Sequence, residues 1–250
     1  MQGQSECLSE DNVVENAFEY KFLTDESVPL KNPVGENITV DFKEGYVHVK
    51  GTPSDKWRDT HLTGSACYNH TNLVPEFCRA YTENSERQVV AVHVAKGNTT
   101  ISEWLPGTKG YDVIVKKSIC AVKKANPEHV YFVWLQGESD AIAGKSSCYY
   151  KEKLTELCNG LKKDIGLEKF GIIRVGRFVN DSLDDRIILA QDEICKENED
   201  FIMLTDIATD LNEKPEYMNP FVKGHYSAKG LEKLGKTAGK ALAEFSVKNK

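Results

Sequence analysis

Hydrophobic positions along this chain fall into two regimes. Over the first 85 residues they form short, irregular patches, broken by Pro29, Pro33 and Pro53 and by many polar residues. Beyond that the pattern becomes regular. Four short runs, at 88–95, 129–135, 170–175 and 201–205, are apolar nearly throughout and rich in β-branched and aromatic residues. A run that is apolar at successive positions suits a strand covered on both faces. Between and after these runs the spacing becomes helical. Tyr111, Ile114, Val115, Ile119 and Val122 fall on one face. Tyr150, Leu154, Leu157, Cys158, Leu161 and Ile165 form a second stripe, and Leu183, Ile187, Ala190 and Ile194 a third. Leu231, Leu234, Ala238, Leu242 and Phe245 form the last, with Ser227 in position to cap its helix. Strands alternating with helices predict βαβ crossovers and an α/β domain with a parallel sheet between helical layers. No linker, repeat or low-complexity tract interrupts residues 1–250, so one domain is expected.

Composition narrows the function classes. With 250 residues, 40% of them hydrophobic, the chain can bury a sizeable core without disulfide or metal staples. No apolar run reaches the roughly 18 residues of a membrane span, so no membrane is expected. The net charge is −6 and the basic residues are interleaved with acids, which argues against a phosphate-backbone binder and hence against nucleic acid. Seven cysteines at wide spacings, with no C-x-x-C, read as reduced thiols and not as a metal site. The start, Met1 to Ser5, has no apolar leader, and a cytoplasmic location is expected. Sequons at Asn37, Asn69, Asn98 and Asn180 are a pattern common by chance. Nothing in the sequence signals an oligomeric state.

In an open α/β sheet, ligands bind beyond the carboxyl ends of the strands. After the second run come Gln136-Gly137-Glu138-Ser139-Asp140, a neutral amide, a glycine and two carboxylates. The Gln136 amide can stabilise an oxyanion; the plainer reading is a solvated turn with an acidic helix cap. After the first run come Gly97 and Asn98, where glycine lets a ligand approach the backbone N–H. Trp104 can line a pocket and stack on a sugar ring, or be plain core. Arg177 follows the third run. His225, between Gly224 and Tyr226 just before the last helix, is a candidate general base. Ser5, in Gly3-Gln4-Ser5, is a candidate nucleophile if a base lies nearby.

These segments converge on a resemblance. Gly3-Gln4-Ser5, the stretch from Gly97-Asn98-Thr99 to Trp104, Trp134-Leu135-Gln136-Gly137-Glu138-Ser139-Asp140 and the late His225 resemble the sialate O-acetylesterase and acetylxylan esterase branch of the SGNH hydrolases. That branch carries GQSN, GGT-x-I-x-x-W, W-x-QGESD and a histidine before the last helix. The resemblance spans residues 3 to 227. It implies a three-layer, flavodoxin-like fold with a parallel central sheet. It also implies Ser5 as nucleophile, His225 as base, and the N–H groups of Ser5 and Gly97 with the Gln136 side chain as oxyanion donors. No metal or organic cofactor is implied. The substrate would be an O-acetylated carbohydrate, sialic acid or xylan-type, cleaved by two-step acyl transfer. Asn98, Trp104 and Arg177 become candidates for binding it, Arg177 as the cation for a sugar carboxylate.

The chain departs from the pattern at Glu6, where an asparagine is usual, and at Asn98, where a glycine is. A carboxylate at Glu6 is expected to alter substrate preference or damp the nucleophile. Val222 stands where many relatives have an aspartate. The Nδ1–H of His225 then needs another acceptor, Glu138 or a backbone carbonyl, giving a rewired triad or a Ser–His dyad. Only Met1 and Gln2 precede the GQS turn, where the family has its first strand. The expectation is a sequence truncated relative to its functional relatives, which would reopen the question of a leader, or a sheet lacking a full central strand. Two other functions fit the scaffold: a non-catalytic carbohydrate-binding protein, and an esterase for longer or aryl esters. The absence of G-x-S-x-G speaks against the α/β-hydrolase form of the latter.

Overall fold

The computed structural model describes residues 5–6, 12–32, 34–35, 39–41, 45–47, 71–179 and 181–248. Met1 to Gln4, Cys7, Pro33, Asn37, Pro53, Cys67, Asn69 and Asn180 lie outside the described residues, and with them the start on which the truncation expectation rests. In chain order the elements are strands β1 (Ala17–Lys21), β2 (Glu26–Pro29), β3 (Thr39–Asp41) and β4 (Gly45–Val47), helix α1 (Val74–Ser85), strand β5 (Val89–Ala91), a 3-10 turn at Ile101–Trp104, helix α2 (Lys109–Ala125), strand β6 (Tyr131–Trp134), helices α3 (Glu138–Ile142) and α4 (Ser147–Ile165), strand β7 (Lys169–Ile173), helix α5 (Ser182–Glu197), strand β8 (Phe201–Thr205), helix α6 (Ala208–Asn212), a 3-10 turn at Pro215–Tyr217, and helix α7 (Ala228–Lys248).

The class is α/β with parallel pairing, as the pattern predicts. All four strand-like runs and all four amphipathic stripes become the expected elements. The residues group into two compact units: Met1–Thr39, Val47–Ala95 and Asp210–Lys250 form the first, Val40–Tyr46 and Lys96–Thr209 the second.

In the first unit the strand order is β2-β1-β5, with β1 antiparallel to β2 and parallel to β5. Neither β1 nor β2 is conspicuous in the sequence. β1 buries Ala17 and Tyr20, but Glu19 is buried beside them at 2% exposure and interrupts the apolar pattern. Its carboxylate is satisfied by Lys21 Nζ at 2.6 Å and by the Gly35 N–H at 2.8 Å, as a buried charge requires. Helix α1 was also hidden. Pro75 reads as a breaker yet sits in the first turn, where proline is tolerated, and part of the buried face is Cys78, Thr82 and Ser85. Helix α7 is legible: Ser227 Oγ accepts the Gly230 N–H at 3.1 Å, the predicted cap, and Leu231, Leu234, Ala238 and Leu242 are buried. It packs on α1 through glycines. A Cβ on Gly235 would lie 2.3 Å from the Leu73 carbonyl oxygen, and one on Gly239 2.1 Å from that of Phe77.

In the second unit β6, β7 and β8 form a parallel sheet in that order. Central β7 is covered on both faces, with Phe170, Ile172 and Ile173 fully buried, as its apolar run predicts. Phe170 packs between Phe132 and Phe201 in tilted contacts, each centroid 4.9 Å away. By contrast β5 and β6 are half-buried. Among the described residues β5 pairs with β1 alone and β6 with β7 alone, so each stands at the edge of its sheet. The helices start where the chain supplies caps. Thr108, Ser146 and Asp181 accept N–H groups of Tyr111, Tyr149 and Leu183 at 3.3, 3.2 and 2.7 Å. Leu154, Leu157 and Leu161 on α4 and Ile187 on α5 are fully buried, each contributing about 1.5–3 kcal/mol by burial. Burial pushes the thiols of Cys78 and Cys195 up to about 12 and that of Cys158 to about 11, which marks them as core groups and not nucleophiles.

Candidate active site

In the first unit the residues of interest are Ser5, Glu6 and the loop ahead of α7. That loop is closed by an antiparallel bridge between Met218 and Tyr226. Asn219, only 5% exposed, organises it. Its N–H donates to the His225 carbonyl at 2.8 Å, and its Oδ1 accepts the N–H groups of Phe221 and Val222 at 2.8 and 3.2 Å. The turn back to His225 passes through Gly224 at φ +79°, a left-handed conformation that suits glycine. His225 is therefore held at its backbone. Its Nδ1 lies 3.1 Å from the Lys223 carbonyl oxygen. With Nδ1–H donating there, Nε2 is the nitrogen that carries the ring's basic lone pair. Of the two acceptors considered, the backbone carbonyl is the one seen at Nδ1. Val222 contributes no carboxylate, only a carbonyl that accepts the His225 N–H at 3.2 Å.

Ser5 is fully buried. Its neighbour Glu6 accepts the N–H of Ala228, the first residue of α7, on Oε2 at 2.8 Å. The two residues are 222 apart in sequence. A carboxylate at a helix N-terminus is favoured by the unsatisfied N–H groups and the helix dipole. The sequence reading gave Glu6 an effect on substrate or nucleophile; here it is the clamp between the serine's segment and the helix that follows His225. Glu6→Ala is expected to lower stability by about 1 kcal/mol, read as a lower urea midpoint. Glu6→Gln, whose amide oxygen still accepts the bond, should recover most of it.

In the second unit Gly97 and Asn98 form an exposed turn beyond β5. Asn98 has φ +59°. That region is open to glycine and, among other residues, best to asparagine, so a glycine-to-asparagine exchange is accommodated at this position. Trp104 is a buried side chain. It is 4% exposed, its indole N–H donates to Thr99 Oγ1 at 3.0 Å, and it packs edge-on against Trp134 at 6.1 Å. Of the two readings of Trp104, its burial favours plain core over sugar stacking. Arg177 is paired with Asp185 at 2.6 Å, so its guanidinium already has a carboxylate partner.

Gln136 is the most heavily engaged residue here. Its Nε2 donates to the Thr99 carbonyl at 2.8 Å and to Asp140 Oδ2 at 2.7 Å, so both amide hydrogens are in use. Tyr150 Oη donates toward the Gln136 backbone carbonyl and side-chain oxygen, at 2.6 and 3.0 Å. Gln191 Nε2 donates to the same backbone carbonyl at 2.9 Å. The next residue, Gly137, has φ +152°, and a Cβ there would lie 2.6 Å from Ile187 Cγ2, which explains the glycine. Glu138 opens the short helix α3. Asp140 is fully buried and its Oδ2 also accepts the Ile101 N–H at 2.8 Å. Burial holds its carboxyl above the ordinary value, with a smaller push from Glu103, against the Gln136 and Ile101 hydrogen bonds and Lys145. Folding therefore favours the protonated acid, and this group costs stability as the pH rises above about 3.8, its ordinary value.

Sequence reasoning gave Asp140 no part beyond an acidic cap in a solvated turn, whereas it is fully buried; its place four residues after Gln136 was a usable signal. Tyr150 was read only as part of an apolar stripe, and Gln191 carried no signal at all.

The family model for carbohydrate esterases, the sialic acid-specific acetylesterases, matches residues 48–244. The chain belongs to this family. The matched residues include Gly97, Gln136, Glu138 and His225 but not Ser5 or Glu6. "Probable carbohydrate esterase At4g34215" of Arabidopsis thaliana is 30% identical over 93 residues, 37% of this chain and 35% of that protein; the chain matches about a third of the length of this curated relative. The X-ray structure of the Arabidopsis thaliana protein AT4G34215 superposes with a TM-score of 0.64 at 16% identity, over 96% of this chain and 86% of that one. That likeness shows the fold: mixed α/β with a parallel sheet and helices packed around it, consistent with the flavodoxin-like arrangement the resemblance implied.

Proposed function

We propose that this carbohydrate esterase is a serine O-acetylesterase, removing acetyl groups from sugar hydroxyls of sialic acid or xylan type through an acetyl-Ser5 intermediate. The observation that carries the reading is the 2.8 Å hydrogen bond from the Ala228 N–H to Glu6. It ties the residue after Ser5 to the helix that begins three residues beyond His225. Ser5 Oγ attacks the acetyl carbonyl and its proton passes to His225 Nε2. The protonated imidazole then gives that proton to the departing sugar oxygen. In the second half water attacks the acetyl ester as His225 takes its proton; the bond from the acyl carbon to Ser5 Oγ then breaks, His225 returns the proton to Oγ, and acetate is released. The Lys223 carbonyl holds the ring in the required tautomer but stabilises the imidazolium less than a carboxylate would, so the working unit is a Ser–His dyad or a rewired triad. The oxyanion roles of the Ser5 and Gly97 N–H groups and of Gln136 are carried over from the resemblance.

Acetate release from O-acetylated sugars, beside a series of 4-nitrophenyl esters of increasing acyl length, tests the reading. Acetyl should exceed butyryl by at least about 10-fold, the discrimination a pocket closed to extra methylenes supports. Equal or faster turnover of long acyl chains points instead to a lipase-type esterase. One observation favours the second reading, a non-catalytic carbohydrate-binding protein: both amide hydrogens of Gln136 are engaged within the protein. Sugar binding without acetate release is its signature.

A further inference from the structure

The least explained group in the second unit is the Asp140 carboxyl. It has no exposure to solvent. One oxygen, Oδ2, receives two donors: the Gln136 side-chain amide and the Ile101 N–H. The other, Oδ1, is buried with no hydrogen-bond partner among the described residues. A carboxyl placed only to fill space would be replaced at lower cost by an apolar group, because a buried polar atom without a partner is unfavourable. What the arrangement provides is connection. Ile101 follows the turn that begins at Gly97, and the Thr99 carbonyl in that turn also accepts from Gln136. Thr99, Ile101, Gln136 and Asp140 thus close a ring of hydrogen bonds between the segments that follow β5 and β6.

We propose that Asp140 is a positioning residue: its Oδ2 sets the Gln136 amide and the Thr99–Ile101 turn in one frame, and it does so by hydrogen-bond geometry and not by charge. Oδ1 is unsatisfied in either protonation state, and with no solvent exposure the anion is the costlier of the two, which supports the second half of this statement. The charged groups that bear on it oppose one another, Glu103 favouring the neutral acid and Lys145 the anion. A neutral Asp140 also binds the Gln136 hydrogen less tightly than a carboxylate would. That hydrogen can then turn toward an oxyanion. The catalytic meaning rests on the acetylesterase reading; the positioning itself does not.

The test uses the full chain and three forms of residue 140. In the wild type the Gln136 side-chain amide, followed by NMR and assigned by its loss in Gln136→Leu, should give two well-separated hydrogens protected from exchange. Asp140→Asn keeps an oxygen at the same place and should preserve both signals. Asp140→Ala should shift one signal and lose its protection; if that variant fails to fold, Asp140→Ser is used for the same reading. With 4-nitrophenyl acetate, Asp140→Ala should lower kcat by about 10–100-fold and change KM by less than about 3-fold, the mark of a displaced transition-state donor. Asp140→Asn should restore most of that kcat. Unmoved Gln136 signals in Asp140→Ala overturn the positioning role, and an Asp140→Asn that behaves like Asp140→Ala overturns geometry in favour of charge. A wild type that does not hydrolyse acetyl esters sinks the functional reading alone, because the amide signals still decide the positioning.

Discussion

Ser5→Ala is expected to reduce kcat/KM for 4-nitrophenyl acetate by at least about 10³-fold, the scale on which a nucleophile acting with its base contributes. The expectation follows from what Ser5 and His225 share. The Glu6 carboxylate links the serine's segment to the first turn of α7, and the loop clipped by Asn219 presents His225 just before that turn. Alanine removes Oγ and leaves Cβ in a fully buried position, so packing is kept and the thermal midpoint should stay within a few degrees. A variant that folds normally and retains activity would show that another group attacks the ester.

The second large effect is on stability. Gly239→Val is expected to destabilise by at least about 3 kcal/mol, the upper range of overpacking. The first atom of any side chain at Gly239 would lie 2.1 Å from the Phe77 carbonyl oxygen, and Gly235 one turn earlier meets Leu73 in the same way. The neighbours are backbone, so no rotamer change relieves the clash and α1 must move away from α7. Because α7 is the helix whose N-terminus Glu6 caps, some loss of activity should accompany the lower denaturant midpoint. An unchanged midpoint would mean that the two helices are not packed as closely as described.

The fold was legible wherever one periodicity dominated. The runs that became β7 and β8 are apolar at nearly every position, and the stripes of α4 and α7 keep strict helical spacing. Legibility failed where burial is achieved by polar groups. Glu19 is buried in β1 because Lys21 and the Gly35 N–H satisfy it, a partnership no local pattern reveals. Helix α1 hides behind a proline in its first turn. At the site the motif around Gln136 stood out, but the motif alone did not show that its amide is already hydrogen-bonded. That depends on Thr99, 37 residues away, and Tyr150 and Gln191 reach the same backbone carbonyl from two helices. Trp104 was ambiguous for a plain reason: a tryptophan beyond a strand end looks the same in sequence whether it faces a ligand or Trp134.

The most direct test of the central claim is a rapid-quench experiment with an acetylated substrate, followed by peptide mass mapping. The account predicts one transient acetyl group on Ser5, absent in Ser5→Ala and unformed in His225→Ala. An acetyl group on any other residue, or ester hydrolysis with no acyl-enzyme at all, would contradict it.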